Sequence, residues 1–201
     1  MIRMRPFHKM SYSELQSEYL QELVVARAVA FNDEDVLDTT KRSRQKRTLN
    51  TLKLLEKSGY KYKKLKDFLF QKGEIDRENL RKLLVGPKEV PVSMRGNGSY
   101  GTLRQYFEEM IEIFGIVEES SEDKVCKKIF KYGALNYKKS CQKESTAYWL
   151  QRQLGVKVCP YCNRMYTTTL FGEEKIRPDF DHFYPKSKYP YLAVSLFNLI
   201  P

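Results

Sequence analysis

The chain has few of the residues that would indicate a membrane-spanning or secreted protein. No apolar run approaches the ~20 residues of a membrane span, and the basic segment 1–10 lacks the apolar core that a signal peptide needs. We therefore expect a soluble, cytoplasmic protein. Only two histidines, four cysteines and one tryptophan occur among 201 residues. In a reducing compartment, a closely spaced cysteine pair such as Cys159 and Cys162 favours a metal site over a disulfide.

Aromatic and basic residues, in contrast, are abundant. Fourteen tyrosines and 11 phenylalanines, with 41% hydrophobic residues, are enough for a packed core. The net charge is +11, and the segment 41–66 holds eleven lysines or arginines against one acid, Glu56. Such concentration indicates either a surface for a polyanion, most often nucleic acid, or the solvated face of a long helix. The candidate nucleic-acid-binding residues of its densest block are Lys41, Arg42, Arg44, Lys46 and Arg47.

Residues 1–155 have the patterns of a mainly α-helical region. Ser11 and Glu14 have the spacing of a capping box, Asp76 is a candidate N-cap, and Gly59 is a stop signal. Residues 86–101 are rich in glycine and proline and predict a loop or linker. Helical spacing elsewhere predicts helices over about 11–31, 39–57, 63–71, 76–85, 102–114, 121–132 and 143–154.

Aromatic and basic residues alternate just after the second predicted helix, where Tyr60, Tyr62 and Phe68 are interleaved with four lysines. This alternation can stack bases and hold phosphates. It is also typical of an amphipathic helix whose apolar face is flanked by the aliphatic parts of lysine side chains.

The sequence changes character after Gly155. Residues 165–171 and 175–180 predict the two strands of a hairpin. Just before them, Cys159 and Cys162 form a Cys-x-x-Cys pair, a spacing at which two thiolates bind one Zn²⁺ in a tight turn. A redox function is the alternative, but redox pairs accompany a βαβ pattern that is missing here. Cys126 and Cys141 are more distant candidates to complete a four-ligand site.

Asp181 and His182 follow the predicted return strand. A carboxylate next to an imidazole can hold a divalent metal while the imidazole takes a proton from water, because the histidine pKa lies near neutrality. A histidine that simply packs or hydrogen-bonds is the alternative.

Taken together, these pieces resemble a known family. Cys-x-x-Cys, a short hairpin, Asp181-His182-x-x-Pro and an asparagine sixteen residues after the histidine, Asn198, are similar to HNH endonucleases. Segments 181–190 and 197–201 resemble in particular the HNH proteins of bacterial anti-phage defence systems. The resemblance covers 156–201. It implies a small, incomplete ββα-metal (HNH) module, 156–201. With the helical patterns of 1–155, the sequence thus predicts an α+β protein with a mainly α-helical N-terminal region followed by this module.

The resemblance implies a role for each matching residue. His182 is expected to be the general base, Asp181 a ligand of a catalytic divalent metal such as Mg²⁺, and Asn198 a brace for the loop that bears the base. Cys159 and Cys162 are expected to provide half of a structural Zn²⁺ site. The expected reaction is hydrolysis of DNA phosphodiester bonds, with RNA as the alternative target. Lys186 and Lys188 have no fixed family role but are placed to contact phosphates.

The resemblance also has a gap, because the family continues past the asparagine with a second Cys-x-x-Cys and a last metal ligand. The sequence therefore suggests a fragment or a truncated protein, or a site that another chain completes. Two further hypotheses stay open. One is a non-catalytic nucleic-acid-binding or adaptor protein with a relic zinc knuckle. The other is a helical subunit of a defence complex with a partner such as an ATPase, which is compatible with the nuclease.

Overall fold

The computed structural model describes residues 10–31, 45–88, 98–118, 124–136, 144–159, 161–162, 164–166, 169–170 and 176–201. The described α-helices are α1 (Tyr12–Val25), α2 (Gln45–Lys57), α3 (Lys63–Leu69), α4 (Arg77–Val85), α5 (Gly98–Phe114), α6 (Val125–Ile129) and α7 (Thr146–Leu154). Two antiparallel pairs of short strands accompany them: β1 (Phe70–Gln71) with β2 (Glu74–Ile75), and β3 (Asp181–His182) with β4 (Leu199–Ile200). The predicted α+β class is confirmed.

Helix α1 begins at the predicted capping box. The Ser11 side chain accepts from the backbone N–H of Glu14, and the Glu14 carboxylate accepts from the Ser11 N–H at 2.6 Å. The helix ends at Val25, earlier than the predicted residue 31. Residues 28–30 instead run antiparallel to the chain after α6, where Val29 pairs with Phe130. The predicted helix over 121–132 is likewise shortened to α6, because its last residues form this pairing.

The middle of the chain follows its local signals. Gly59 has a φ of +71° just after α2 and opens a 3-10 turn over 59–62. The predicted helix 63–71 ends at Leu69, because the turn at Lys72 and Gly73, both with positive φ, folds β1 onto β2. Asp76 then caps α4 as predicted, accepting from the Asn79 N–H at 2.9 Å.

The later helices start at other residues than predicted. Helix α5 begins at Gly98, inside the predicted loop 86–101, of which 89–97 lie outside the described residues. Helix α7 begins at Thr146 and ends where Gly155 adopts a left-handed conformation. A further 3-10 turn covers Tyr132–Asn136.

The predicted hairpin is only partly correct. Val158 pairs with Tyr166 and Leu170 with Ile176, as single bridges. The return strand does not extend over the described residues 177–180. Pro178 has no N–H to donate, and its carbonyl accepts from the Gln151 side chain at 3.2 Å rather than from a strand. The following residues pair with β4 instead.

One hydrophobic core joins the two predicted regions. It contains residues of the helices, such as Leu15 and Leu83, and residues near the C-terminal end, such as Tyr191 and Leu199. The boundary at residue 155 stays a prediction, and the C-terminal segment 177–201 packs on the helices. In the part of the chain that the structure describes, no helix is both long and apolar enough to cross a membrane.

Candidate functional site

Asp181 and His182 are placed by the pairing of β3 with β4. Asp181 lies opposite Ile200 and His182 opposite Leu199. Because successive side chains of a strand point to opposite faces, Asp181 is exposed whereas His182 is only 8% exposed. The His182 backbone N–H donates to Asp181 Oδ1 at 2.7 Å. The pair therefore offers a carboxylate to solvent and an imidazole to the protein.

The His182 ring has a defined tautomer. Nε2 lies 3.0 Å from the carbonyl oxygen of Ala193. A carbonyl can only accept, so this contact requires the proton on Nε2 and leaves Nδ1 with a free lone pair. Burial lowers the pKa of His182, and nearby Lys186 acts in the same direction, while the Ala193 contact opposes them. The neutral imidazole, which is the form that can accept a proton, is thus favoured at neutral pH.

Asn198 is fully buried and holds the loop that joins β3 to β4. Its Nδ2 donates to the carbonyls of Tyr184 at 3.1 Å and Leu192 at 3.0 Å. Its Oδ1 accepts from the Tyr184 N–H at 2.7 Å. The Phe183 N–H also donates to the Asn198 carbonyl at 3.0 Å. These bonds fasten both ends of the loop, and they agree with the bracing function that the sequence suggests.

Tyr132 contacts two of the candidate site residues, and the sequence did not single it out. It comes from the 3-10 turn before α7. Its ring meets the His182 ring edge-on, with centroids 4.6 Å apart. The Lys186 ammonium lies 4.2 Å from the Tyr132 ring centroid. The Tyr132 hydroxyl donates to the Phe180 carbonyl at 3.2 Å. One side chain from the helical region thus contacts both the imidazole and a candidate phosphate ligand.

The Cys-x-x-Cys segment forms a tight turn. The Cys159 N–H donates to the Met165 carbonyl at 2.7 Å. The backbone N–H groups of Met165 and Arg164 donate to the Cys162 sulfur, and these bonds, followed by one from Cys159, lower the pKa of Cys162. Since the thiolate is the form that binds metal, this environment favours ligation.

Tyr161 connects this turn to Asp181. Its hydroxyl donates to Asp181 Oδ2 at 3.0 Å. Partial burial, and then the bond to Asp181, raise the pKa of Tyr161 to about 12, so the hydroxyl stays a donor. Sequence reasoning treated this position only as a residue between the two cysteines. The one signal for Tyr161 in the sequence was its position between the two cysteines.

The residues present fit metal ligation in part. Cys159 and Cys162 provide two thiolates with a shared turn, and Asp181 provides an exposed carboxylate. Cys126 is fully buried in the core, and Cys141 lies outside the described residues. Among the residues that the structure describes, no group of three or more histidine, cysteine, aspartate or glutamate side chains is arranged around a common point. Further ligands are needed to complete either site.

Of the remaining predicted site residues, some lie in the described part of the chain and others lie outside it. Lys188 is exposed, and its carbonyl accepts from the Val117 N–H at 2.9 Å. Lys46 lies in the first turn of α2, as does Arg47. The side chains of these two are outside the described part, as are residues Lys41, Arg42 and Arg44 altogether.

Comparison with protein-family models, with curated proteins and with solved structures finds no match. The function is therefore inferred from the residues and geometry above.

Proposed function

We propose that the protein is a metal-dependent endonuclease of the HNH type that hydrolyses phosphodiester bonds of DNA. The observation that carries this proposal is the tautomer of His182, whose Nε2 donates to the Ala193 carbonyl, next in the chain to the exposed Asp181. A packing histidine needs neither an adjacent carboxylate nor a loop fastened around it. The assignment to anti-phage defence rests on the sequence resemblance alone.

His182 acts as the general base in this proposal. Nδ1 accepts a proton from water as the water oxygen attacks phosphorus. The bond between phosphorus and the 3′ oxygen then breaks. The products are a 5′ phosphate and a 3′ hydroxyl, whose proton comes from solvent. The Ala193 carbonyl stabilises the imidazolium that forms, because it already accepts from Nε2.

Asp181 would hold the catalytic metal, and the two cysteines would hold the structural zinc. When bound, a divalent cation such as Mg²⁺ supplies charge neutralisation at the scissile phosphate and at the leaving oxygen. Tyr161 positions the Asp181 carboxylate through Oδ2, and the His182 N–H does so through Oδ1. Lys186 is placed by the Tyr132 ring near the base, where a phosphate would lie.

The test is cleavage of supercoiled plasmid DNA by the purified protein with and without Mg²⁺. His182→Ala should reduce the rate by about 100- to 10,000-fold, the usual contribution of a general base. Asp181→Asn is the second variant, because Asp181 is exposed and the change keeps the side-chain shape. It should weaken Mg²⁺ activation without loss of fold, as measured by thermal melting.

His8→Ala is the matched control, since His8 is the other histidine of the chain. Its cleavage rate should equal that of the unchanged protein. Equal rates in the folded His182→Ala variant would remove His182 from the mechanism. Salt-sensitive DNA binding with no cleavage under any divalent metal would overturn the nuclease proposal in favour of a non-catalytic binding protein.

A further inference from the structure

We propose that the basic turn, residues 57–64, is a binding surface for single-stranded nucleic acid on which Tyr60 stacks a base. The proposal further places this surface on the path of a strand that leaves the candidate site beside Lys188. The path rests on the proposed function, whereas the binding surface does not.

Tyr60 is the first observation. Its side chain is 87% exposed, whereas Tyr62, two residues later, is 1% exposed. Phe68 packs edge-on against Phe114 with centroids 5.1 Å apart. An amphipathic helix explains Tyr62 and Phe68, which belong to the core or pack against it. It does not explain Tyr60. The 3-10 turn exposes Tyr60 to solvent, while the buried Tyr62 holds the turn against the core.

Charge is the second observation. The basic turn contains four lysines and no acid. The nearest acids along the chain are Glu56, which lies 3.8 Å from the Lys66 ammonium, and Asp67. Exposed lysines around an exposed ring provide the two interactions that a strand requires, namely phosphate neutralisation and stacking. The four lysines are Lys57, Lys61, Lys63 and Lys64, all exposed.

The third observation is that one short segment links this turn to the candidate site. The Lys61 ammonium donates to the carbonyl of Glu118. The adjacent residue, Val117, donates its N–H to the carbonyl of Lys188 at 2.9 Å. Ile116, next in the segment, is 60% exposed. The segment 116–118 therefore lies between Lys61 and Lys188, and it exposes one apolar side chain, Ile116, and one acid, Glu118.

The exposed ring of Tyr60 among exposed lysines favours unpaired over paired nucleic acid. In a duplex the base faces are stacked on one another, so an exposed tyrosine would find only backbone and groove edges. A single strand offers its base faces to Tyr60 and its phosphates to the lysines. DNA and RNA share this chemistry, and the two are compared in the test.

The first experiment measures binding by fluorescence anisotropy in the Asp181→Asn background, so that cleavage does not interfere. The probes are a labelled single-stranded DNA, the RNA of the same sequence and the corresponding duplex. Tyr60→Ala should weaken binding of one or both single strands by about tenfold, the effect of losing one stacked base. Tyr60→Phe should restore it, because it keeps the ring. Equal effects on duplex and single strands, or no effect of Tyr60→Ala, would overturn the proposal.

The second experiment varies salt. Lys63→Gln with Lys64→Gln should reduce the slope of the logarithm of the binding constant against the logarithm of salt by about 0.7 for each phosphate that is no longer neutralised. Lys127→Gln with Lys128→Gln is the matched control. It removes the same charge from two exposed residues of α6 and should leave the slope unchanged. Equal slopes for both double variants would exclude a local phosphate-binding surface.

These outcomes separate the two proposals. Binding that depends on Tyr60 in a protein that never cleaves would retain the surface and remove the nuclease, and with it the path. Cleavage that depends on His182, with binding indifferent to Tyr60, would retain the nuclease and remove the surface.

Discussion

The C-terminal residues 156–201 consist of two parts that are held in different ways. In the knuckle half, 156–176, large apolar side chains are exposed: Tyr161 57%, Met165 68%, Tyr166 85%, Leu170 53% and Ile176 58%. In the base half, 177–201, most are buried: Tyr191 1%, Leu192 0%, Val194 0%, Leu196 3% and Leu199 1%, with Phe183, at 56%, as an exposed exception. The base half belongs to the core of the whole protein, whereas the described knuckle half is held by single β-bridges and a few hydrogen bonds.

The residues whose burial stabilises the fold therefore lie in one half, and the cysteines that could bind a metal lie in the other. Apolar burial fixes the base half, at roughly 25 cal/mol per Å² removed from water. The described residues of the knuckle half have little such burial, so we expect their turn to depend on its hydrogen bonds and on any metal that the cysteines bind. The bond from Tyr161 to Asp181 is where the two halves meet at the candidate metal ligand.

The largest expected effect on stability is in the base half. Asn198→Ala leaves the Tyr184 N–H and the carbonyls of Tyr184 and Leu192 without their partner, at about 1–3 kcal/mol for each buried group left unpaired. We expect a loss of at least about 3 kcal/mol in urea unfolding. Tyr166→Ala, in the knuckle half, should change stability by no more than about 0.5 kcal/mol. Similar losses of stability in both variants would contradict the conclusion that the two halves are held in different ways.

A smaller and local effect is expected from the cysteines. Cys159→Ser with Cys162→Ser, or zinc removal by a chelator, should speed hydrogen exchange at the Cys159 N–H, which bonds Met165. Exchange in β4 should stay as slow as before. Cys126→Ser is the control, because Cys126 lies in the core away from the turn, and it should not lower bound zinc. Faster exchange in β4 after zinc removal would show that the halves are one cooperative unit.

The smallest effect is expected where the halves meet. Tyr161→Phe removes the hydroxyl that donates to Asp181 at 3.0 Å and keeps the ring. One exposed hydrogen bond to a charged group is worth about 1 kcal/mol, so the Mg²⁺ concentration for half-maximal cleavage should rise roughly fivefold. Thermal melting should not change. An unchanged Mg²⁺ requirement would show that Tyr161 does not position the carboxylate.

Much of the helical fold was predictable because its signals are local. The capping box at Ser11, the N-cap at Asp76 and the stop at Gly59 each act within four residues, and each is observed. The helix ends that were wrong have distant causes. Helix α1 stops early because residue 29 pairs with Phe130, and no pattern within the helix encodes that partner.

The candidate site was predictable in its residues but not in its assembly. The pairing of β3 with β4 brings Asp181 and His182 next to the residues that follow Asn198, and sequence periodicity did not indicate it. The functions of the three residues stay predictions. Tyr132 was missed because its contact with His182 crosses fifty residues of chain and has no spacing rule. The strand predicted through Pro178 was wrong because side chains, not a neighbouring strand, occupy that backbone.

Helix α1 also contacts the loop that holds the candidate site, through the hydroxyl of Tyr19. Tyr19 is fully buried and donates to the carbonyl of Val194, 175 residues later and next to the Ala193 that fixes the His182 tautomer. Contacts between residues so far apart in sequence form late, because the loop between them must first be closed. On the ribosome, a chain that has not yet reached residue 194 can fold its early helices but cannot form the bond from Tyr19 to Val194. If the proposed function is correct, the loop that holds His182 would therefore be ordered only after the early helices.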